Sequence, residues 1–243
     1  MLNEELVKSI VDQLGYSEFF IITFIMFSVL YFSFSALGYL FIIRQKSFKK
    51  VQSKPFRSEQ IMTEVKRSFV SILMFAILSL WMCYGLKNGI YKYNYSFKFQ
   101  EYLIEILALF LWNEFYFFIV HKTFHLKIFY KYHVDHHFSF VPSPFSAYSF
   151  HWSEGLLLGA VMPVAMFFYD FEFWSIMSLP VMSIILNALG HSNLDFFPDK
   201  DINSLYSFSK RHSLHHQNPH KHFGFFLPWL DMIYDRLFSR NVS

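Results

Sequence analysis

Cysteine is almost absent: Cys83 is the one thiol among 243 residues. This excludes an internal disulfide, a Cys-rich zinc module and a cysteine-ligated iron–sulfur centre. Charge is also scarce, at 16% Asp, Glu, Lys and Arg, against about 25% in ordinary soluble domains. Glycine and proline number 8 each, which removes collagen-like and low-complexity classes. No dinucleotide-binding glycine fingerprint is present. Apolar side chains fill the space instead, at 54% of the chain with 34 Phe, and mean hydropathy is +0.28. Such a chain carries too much apolar surface to stay unfolded in water and too little charge for an ordinary soluble globule. The class left is an integral membrane protein. A net charge of +3 gives no reason to invoke nucleic acid.

A spanning helix needs about 20 mostly apolar residues. Residues 19–43 and 69–86 qualify without a single charge. Residues 102–120 form a third run, interrupted by Glu105 and Glu114. Residues 155–169 and 173–190 are a fourth and fifth, the fourth short for a full crossing, with Pro163 and Pro180 expected to bend them. The fold expected is all-α, with four to five membrane-embedded helices and a cytoplasmic histidine-rich helical cap. Residues 44–68 hold Arg44, Lys46, Lys49, Lys50, Lys54, Arg57, Lys66 and Arg67. The positive-inside bias puts that segment in the cytoplasm. Counting crossings then brings every histidine from His121 onward to the same face. The first apolar run reads as an anchor rather than a cleaved signal peptide. Two regions are expected: residues 1–101, holding the N-terminal helices and basic loop, and residues 102–243, the histidine-rich domain.

Histidine is in excess, at 12 residues. His121-Lys-Thr-Phe-His125, His133-Val-Asp-His136-His137 and His212-Ser-Leu-His215-His216 form three clusters. Residues three and four apart share a helix face, so each cluster is expected to present its imidazoles on one common face. His191, and with less support His151, lie at the same depth. So many imidazoles exceed the roughly six positions of an octahedral ion, and two metals are the natural reading. Imidazole suits zinc, copper, iron or nickel alike. His220 and His222 are candidate hydrogen-bond partners for ligand rings, although solvent-exposed positions suit them too. Glu114, seven residues before His121, is an intramembrane carboxylate and a functional candidate on that ground. Asp195 and Asp231 are candidates to brace histidines, and Glu154 lies three residues after His151. Asp135 falls off the histidine face.

The order of these clusters resembles the fatty acid hydroxylase superfamily of integral membrane enzymes, which includes sterol desaturases and sterol C-4 methyl oxidases. The resemblance covers residues 103–238. It rests on Glu114 and the aromatics before His121, Pro142-Ser-Pro after the second cluster, the isolated His191-Ser, and Pro219, Phe223-Gly224 and Trp229-Leu-Asp231 after the third. It implies a centre of two iron ions held by His121, His125, His133, His136, His137, His191, His212, His215 and His216. It also implies O2-dependent hydroxylation or desaturation of an unactivated C–H bond in a lipid such as a sterol, fatty-acyl or sphingolipid-like substrate. Asn187 stands where the fatty-acid and sphingolipid branch has a further histidine, which shifts weight toward the sterol-desaturase-like branch or an unassigned bacterial relative. Electrons are expected from a separate donor, a cytochrome or ferredoxin type with its reductase. A bacterial cytoplasmic membrane is expected over the endoplasmic reticulum. Two other classes compete: a zinc-dependent membrane hydrolase, which needs an open metal position, and a metal transporter, which needs polar ligands along a path through the bilayer midplane.

Overall fold

The computed structural model describes residues 4–55, 57 and 59–238. Four helices are long and apolar enough to cross a membrane: α2 (Tyr16–Arg44), α3 (Gln60–Lys87), α4 (Phe99–Phe124) and α8 (Phe173–Gly190). A short amphipathic helix, α1 (Glu4–Gln13), precedes them. At about 1.5 Å per residue the first three exceed the ~30 Å hydrocarbon core. Their outer faces are bare apolar surface. On α2, Ile25, Val29 and Leu37 are 56%, 58% and 62% exposed. Lipid, not water, is the solvent that tolerates such a surface.

The fourth apolar run is broken in two, as α6 (Trp152–Gly159) and α7 (Val161–Phe168). The break falls at Ala160 rather than at Pro163. Pro163 sits in the first turn of α7, where no backbone N–H is required. Pro180 lies inside α8. The α7–α8 connection reaches the loop between α3 and α4. There the Phe173 N–H donates to the Asn94 carbonyl at 2.8 Å, and the Asn94 N–H to the Phe171 carbonyl at 2.9 Å. The broken hairpin therefore extends to the end of the bundle opposite the histidines. Glu172 closes the turn by accepting from the Ser175 N–H at 2.9 Å as the N-cap of α8.

The other end is a cap of short elements: α5 (Val134–His137), α9 (Phe208–Gln217) and α10 (Trp229–Phe238), with 3-10 turns between them. One small exception to the all-α reading ties the cap down. Lys49–Lys50 (β1) pairs antiparallel with Leu194–Asp195 (β2). Beside that pair, Gln52 donates its side-chain amide to the carbonyls of Phe140 and Ser213 at 2.9 and 2.8 Å. Asn193, in a left-handed conformation at φ 56° that asparagine tolerates, exchanges hydrogen bonds with the Gln52 backbone. The basic segment and the histidine cap are thus one packed unit. The turn Pro144–Tyr148 wedges between α2 and α3. Its carbonyls are met by the hydroxyls of Tyr31 and Ser35 at 2.8 and 2.9 Å.

Candidate metal centre

Nine histidines converge in two groups. His121, His125, His133, His137 and His215 form the first; His136, His191, His212 and His216 form the second. Within each group one ligand atom per residue lies within 4.8 Å of the others. The clusters do not each present one common face, as the spacing had suggested. Successive helical residues point about 100° apart, so the adjacent pairs His136-His137 and His215-His216 split between the groups. The i,i+4 pairs stay together: His133 with His137, His212 with His216, and His121 with His125.

Ring orientation is set from behind. A carbonyl can only accept, so a ring nitrogen beside one must carry the proton. His121 Nδ1–H donates to the Phe223 carbonyl at 2.7 Å, His191 Nδ1–H to Asn187 at 2.8 Å, His215 Nδ1–H to Lys221 at 2.6 Å, and His136 Nδ1–H to Ser149 at 3.3 Å. His133 Nδ1 lies 2.8 Å from Glu154 Oε1, with both side chains buried. In the four rings bonded to carbonyls, Nε2 is a bare lone pair aimed inward. His136 and His191 place two such lone pairs 3.4 Å apart. Other Nε2 pairs lie at 3.2 Å (His121, His125), 2.9 Å (His191, His212) and 3.1 Å (His212, His216). Two imidazoles ~2.1 Å from a shared ion sit about 2.9–3.4 Å apart. The donor set fits a metal ion in each group. Without a cation the facing lone pairs of His136 and His191 repel.

The rings are held neutral. Burial, then repulsion from His121, lowers His137 to about 3. Burial is also the main cause that lowers His191 to about 4. His133, His136, His212, His215 and His216 are driven well below the usual imidazole range by burial and by one another. Deprotonated rings are what a metal requires. A pH dependence follows. An unfolded chain takes up protons at about pH 6.5, and the folded rings do so only below their depressed values. Stability of the metal-free protein is therefore complete above that pH. It falls as the pH drops, at ~1.4 kcal/mol per pH unit per histidine, with the His191 contribution levelling off below about 4. Thermal unfolding in detergent should be level between about pH 7.5 and about pH 6.5 and decline from there to about pH 5; a flat profile throughout would contradict this environment.

The remaining candidates fall as follows. His151 lies outside both groups; its Nδ1 is 2.8 Å from Ser153 Oγ, at the N-cap of α6. Among the described residues Glu114 makes no hydrogen bond to a histidine. Its Oε2 accepts from the backbone N–H groups of Phe226 and Leu227 at 2.7 and 2.8 Å. Asp231 accepts from the N–H groups of Phe223 and Gly224, both at 2.9 Å. It thereby fixes the strip whose Phe223 carbonyl holds His121. Asp195 pairs with Lys210 at 2.9 Å, and Asp135 with Arg67 at 2.6 Å. Asn187 serves through its backbone carbonyl, while its side chain donates to the Ser183 carbonyl at 2.9 Å. His220 is exposed and His222 half-buried; neither ring bonds a grouped histidine among the described residues.

Spacing hid two kinds of residue. The four carbonyl acceptors leave no side-chain signal at all. Glu154 is read from sequence beside His151, yet its partner is His133, on another element. Glu154→Gln should weaken metal retention about 10–100-fold, the usual cost of losing such a support, measured by chelator titration. Unchanged retention would mean the pair does not orient His133.

Below the histidines lies an apolar cavity of about 270 Å³. Phe117, Phe150 and Phe225 line its upper end, with ring centroids 4.8 Å from His121, 5.0 Å from His136 and 4.7 Å from His212. Phe19 and Phe173 line the opposite end. Gly190 permits this packing: a Cβ there would meet the Phe225 ring at 2.2 Å.

Comparison with known proteins agrees with this arrangement. Human lathosterol oxidase (Homo sapiens) is 22% identical over 77% of this chain and 64% of its own length. The Delta(7)-sterol 5(6)-desaturase ERG3B of Gibberella zeae is 25% identical over 81% of the chain and 61% of that protein. The very-long-chain aldehyde decarbonylase GL1-1 of Oryza sativa subsp. indica is 30% identical over 48% of the chain and 21% of that protein. The chain spans less than two thirds of the length of each. No solved structure matches it. The family model described as fatty acid hydroxylase matches residues 106–236. That stretch is more than half of the chain and contains all nine grouped histidines, so the chain belongs to the fatty acid hydroxylase family.

Proposed function

We propose that the protein is an O2-dependent membrane oxidoreductase that hydroxylates or desaturates a C–H bond of a lipid at a di-iron centre. One observation carries this reading: Nε2 lone pairs turn inward in both groups, with His215 Nε2 meeting no partner in the first among the described residues and His136 and His191 setting two of them 3.4 Å apart in the second. His121, His125, His133, His137 and His215 hold one iron in this reading; His136, His191, His212 and His216 hold the other. When bound, such a pair supplies dioxygen activation and C–H cleavage.

The chain's own residues orient and enclose. Carbonyls of Phe223, Asn187, Lys221 and Ser149, with Glu154, fix the ring tautomers. Phe117, Phe150 and Phe225 keep water from the cavity side. The cavity presents lipid to the centre from within the bundle, which suits an apolar substrate. The two sterol enzymes among the relatives and Asn187 in place of a further histidine favour a sterol-like ring system. Residues 102–243 act as the catalytic part in this reading, and residues 1–101 as its membrane support. Pairing of the basic β1 with β2 beside the cap supports a cytoplasmic centre under the positive-inside rule. A separate donor of cytochrome or ferredoxin type then delivers electrons at that face.

The reading is tested by lipid mass spectrometry of cells expressing the wild-type chain or His212→Ala under 18O2. A lipid gaining one 18O, or losing two hydrogens, in the wild type alone is expected. Identical lipid profiles in both strains, with iron and reductant supplied, would overturn it.

A further inference from the structure

The cavity walls descend directly from the centre. On α4, His121, Phe117 and Asn113 follow at intervals of four and share one face; Phe117 and Asn113 both line the cavity. On α8, His191, Asn187 and Ser183 do the same. Asn187 thus lies one turn, about 6 Å, below His191, and Asn113 two turns, about 12 Å, below His121.

Among the described residues no charged side chain lines this cavity. Its polar groups are not equally occupied. Tyr116 donates its hydroxyl to the Leu157 carbonyl at 2.7 Å and Ser79 to Ala76 at 2.7 Å. Asn113 is half-buried within a membrane-spanning helix, and its amide makes no hydrogen bond among the described residues. Asn187 is half spent. Its Nδ2 faces the Ser183 carbonyl at 2.9 Å, and because that carbonyl accepts only, the assignment of nitrogen and oxygen is forced. The atom left without a partner among the described residues is Oδ1, a pure acceptor. A polar residue inside a membrane bundle is costly unless something meets it.

From these two amides we infer that the cavity binds a neutral lipid alcohol, with Asn187 and Asn113 as specificity-determining residues that recognise its hydroxyl. A free Oδ1 requires a donor, which a hydroxyl has and a ketone, aldehyde or ester lacks. Asn113 offers both donor and acceptor to the same kind of group one turn further down. The absence of a cation in the lining disfavours a carboxylate or phosphate at this depth. The inference rests on the lipid-oxidoreductase reading for what stands at the head of the cavity; the binding preference itself needs no turnover.

The test uses the full-length, iron-loaded protein in nanodiscs and tritiated probes in two series, each keeping one skeleton. Cholesterol, cholestenone and cholestane form one; hexadecanol, hexadecanal and hexadecane form the other. In at least one series the wild type should bind the alcohol at least ~10-fold more tightly than its carbonyl and hydrocarbon counterparts. Asn187→Leu should erase that preference. Asn113→Leu should weaken it while raising the unfolding temperature, because an unmet amide is removed. Metal content reports whether each variant is folded; if Asn187→Leu is not, Asn113→Leu carries the same test. Equal binding of alcohol and hydrocarbon in both series, or a preference that survives the folded variants, overturns the inference. An alcohol preference without any O2-dependent product would instead count against the oxygenase reading and leave this one standing. Product formation without an alcohol preference would do the reverse.

Discussion

His136→Ala should remove metal and activity together. The ring is buried, its Nδ1 is spent on the Ser149 carbonyl, and its Nε2 faces His191 Nε2 at 3.4 Å. Its centroid lies 4.6 Å from that of His216. Alanine would leave His191, His212 and His216 as the grouped imidazoles at that position. Turnover should fall by more than the ~100-fold typical of losing an outer support, and bound metal by about one ion per chain. His151→Ala, outside both groups, should leave metal content unchanged. Equal metal content in wild type and His136→Ala would sink the assignment of the second group. Loss of metal in His151→Ala would show that the grouping by geometry is incomplete.

Glu114→Ala should be the most damaging change away from the histidines. Both hydrogen bonds of Oε2 go to backbone donors, Phe226 and Leu227, and Glu114 is buried. Alanine would orphan two donors in an apolar setting, a cost of about 2–4 kcal/mol. The same strip carries the Phe223 carbonyl that holds His121 and the Phe225 ring against His191 and His212. Activity should drop about 10–100-fold as ligand orientation loosens. Glu114→Gln keeps an oxygen acceptor and should be milder. An alanine variant with wild-type unfolding temperature and metal retention would contradict the role of this carboxylate as the strip's anchor.

Four membrane helices were legible as uncharged or nearly uncharged runs, because span length is a local property of the chain. The break in the fourth run was less so. Pro163 marked the region, but the helix interrupts at Ala160 because a proline is accommodated in a first turn. The amphipathic α1 and α10 went unread, their apolar faces being short. The nine histidines were legible as residues, yet their division was not. It depends on how α5 and α9 approach α4 and α8, so that neighbouring His136 and His137 turn to opposite groups. Glu154 shows the same limit. Its partner, His133, is 21 positions away, and no periodicity links them. Carbonyl acceptors such as Phe223 and Lys221 belong to the backbone and have no residue code at all.

The most direct test of the central claim is metal content per chain. The full-length protein would be purified in detergent from iron-supplemented cells without a metal-affinity tag, then measured by elemental mass spectrometry. Two irons per chain are predicted, one for each histidine group. Intact, folded protein that holds no metal would contradict the account, as would stoichiometric zinc that iron cannot replace.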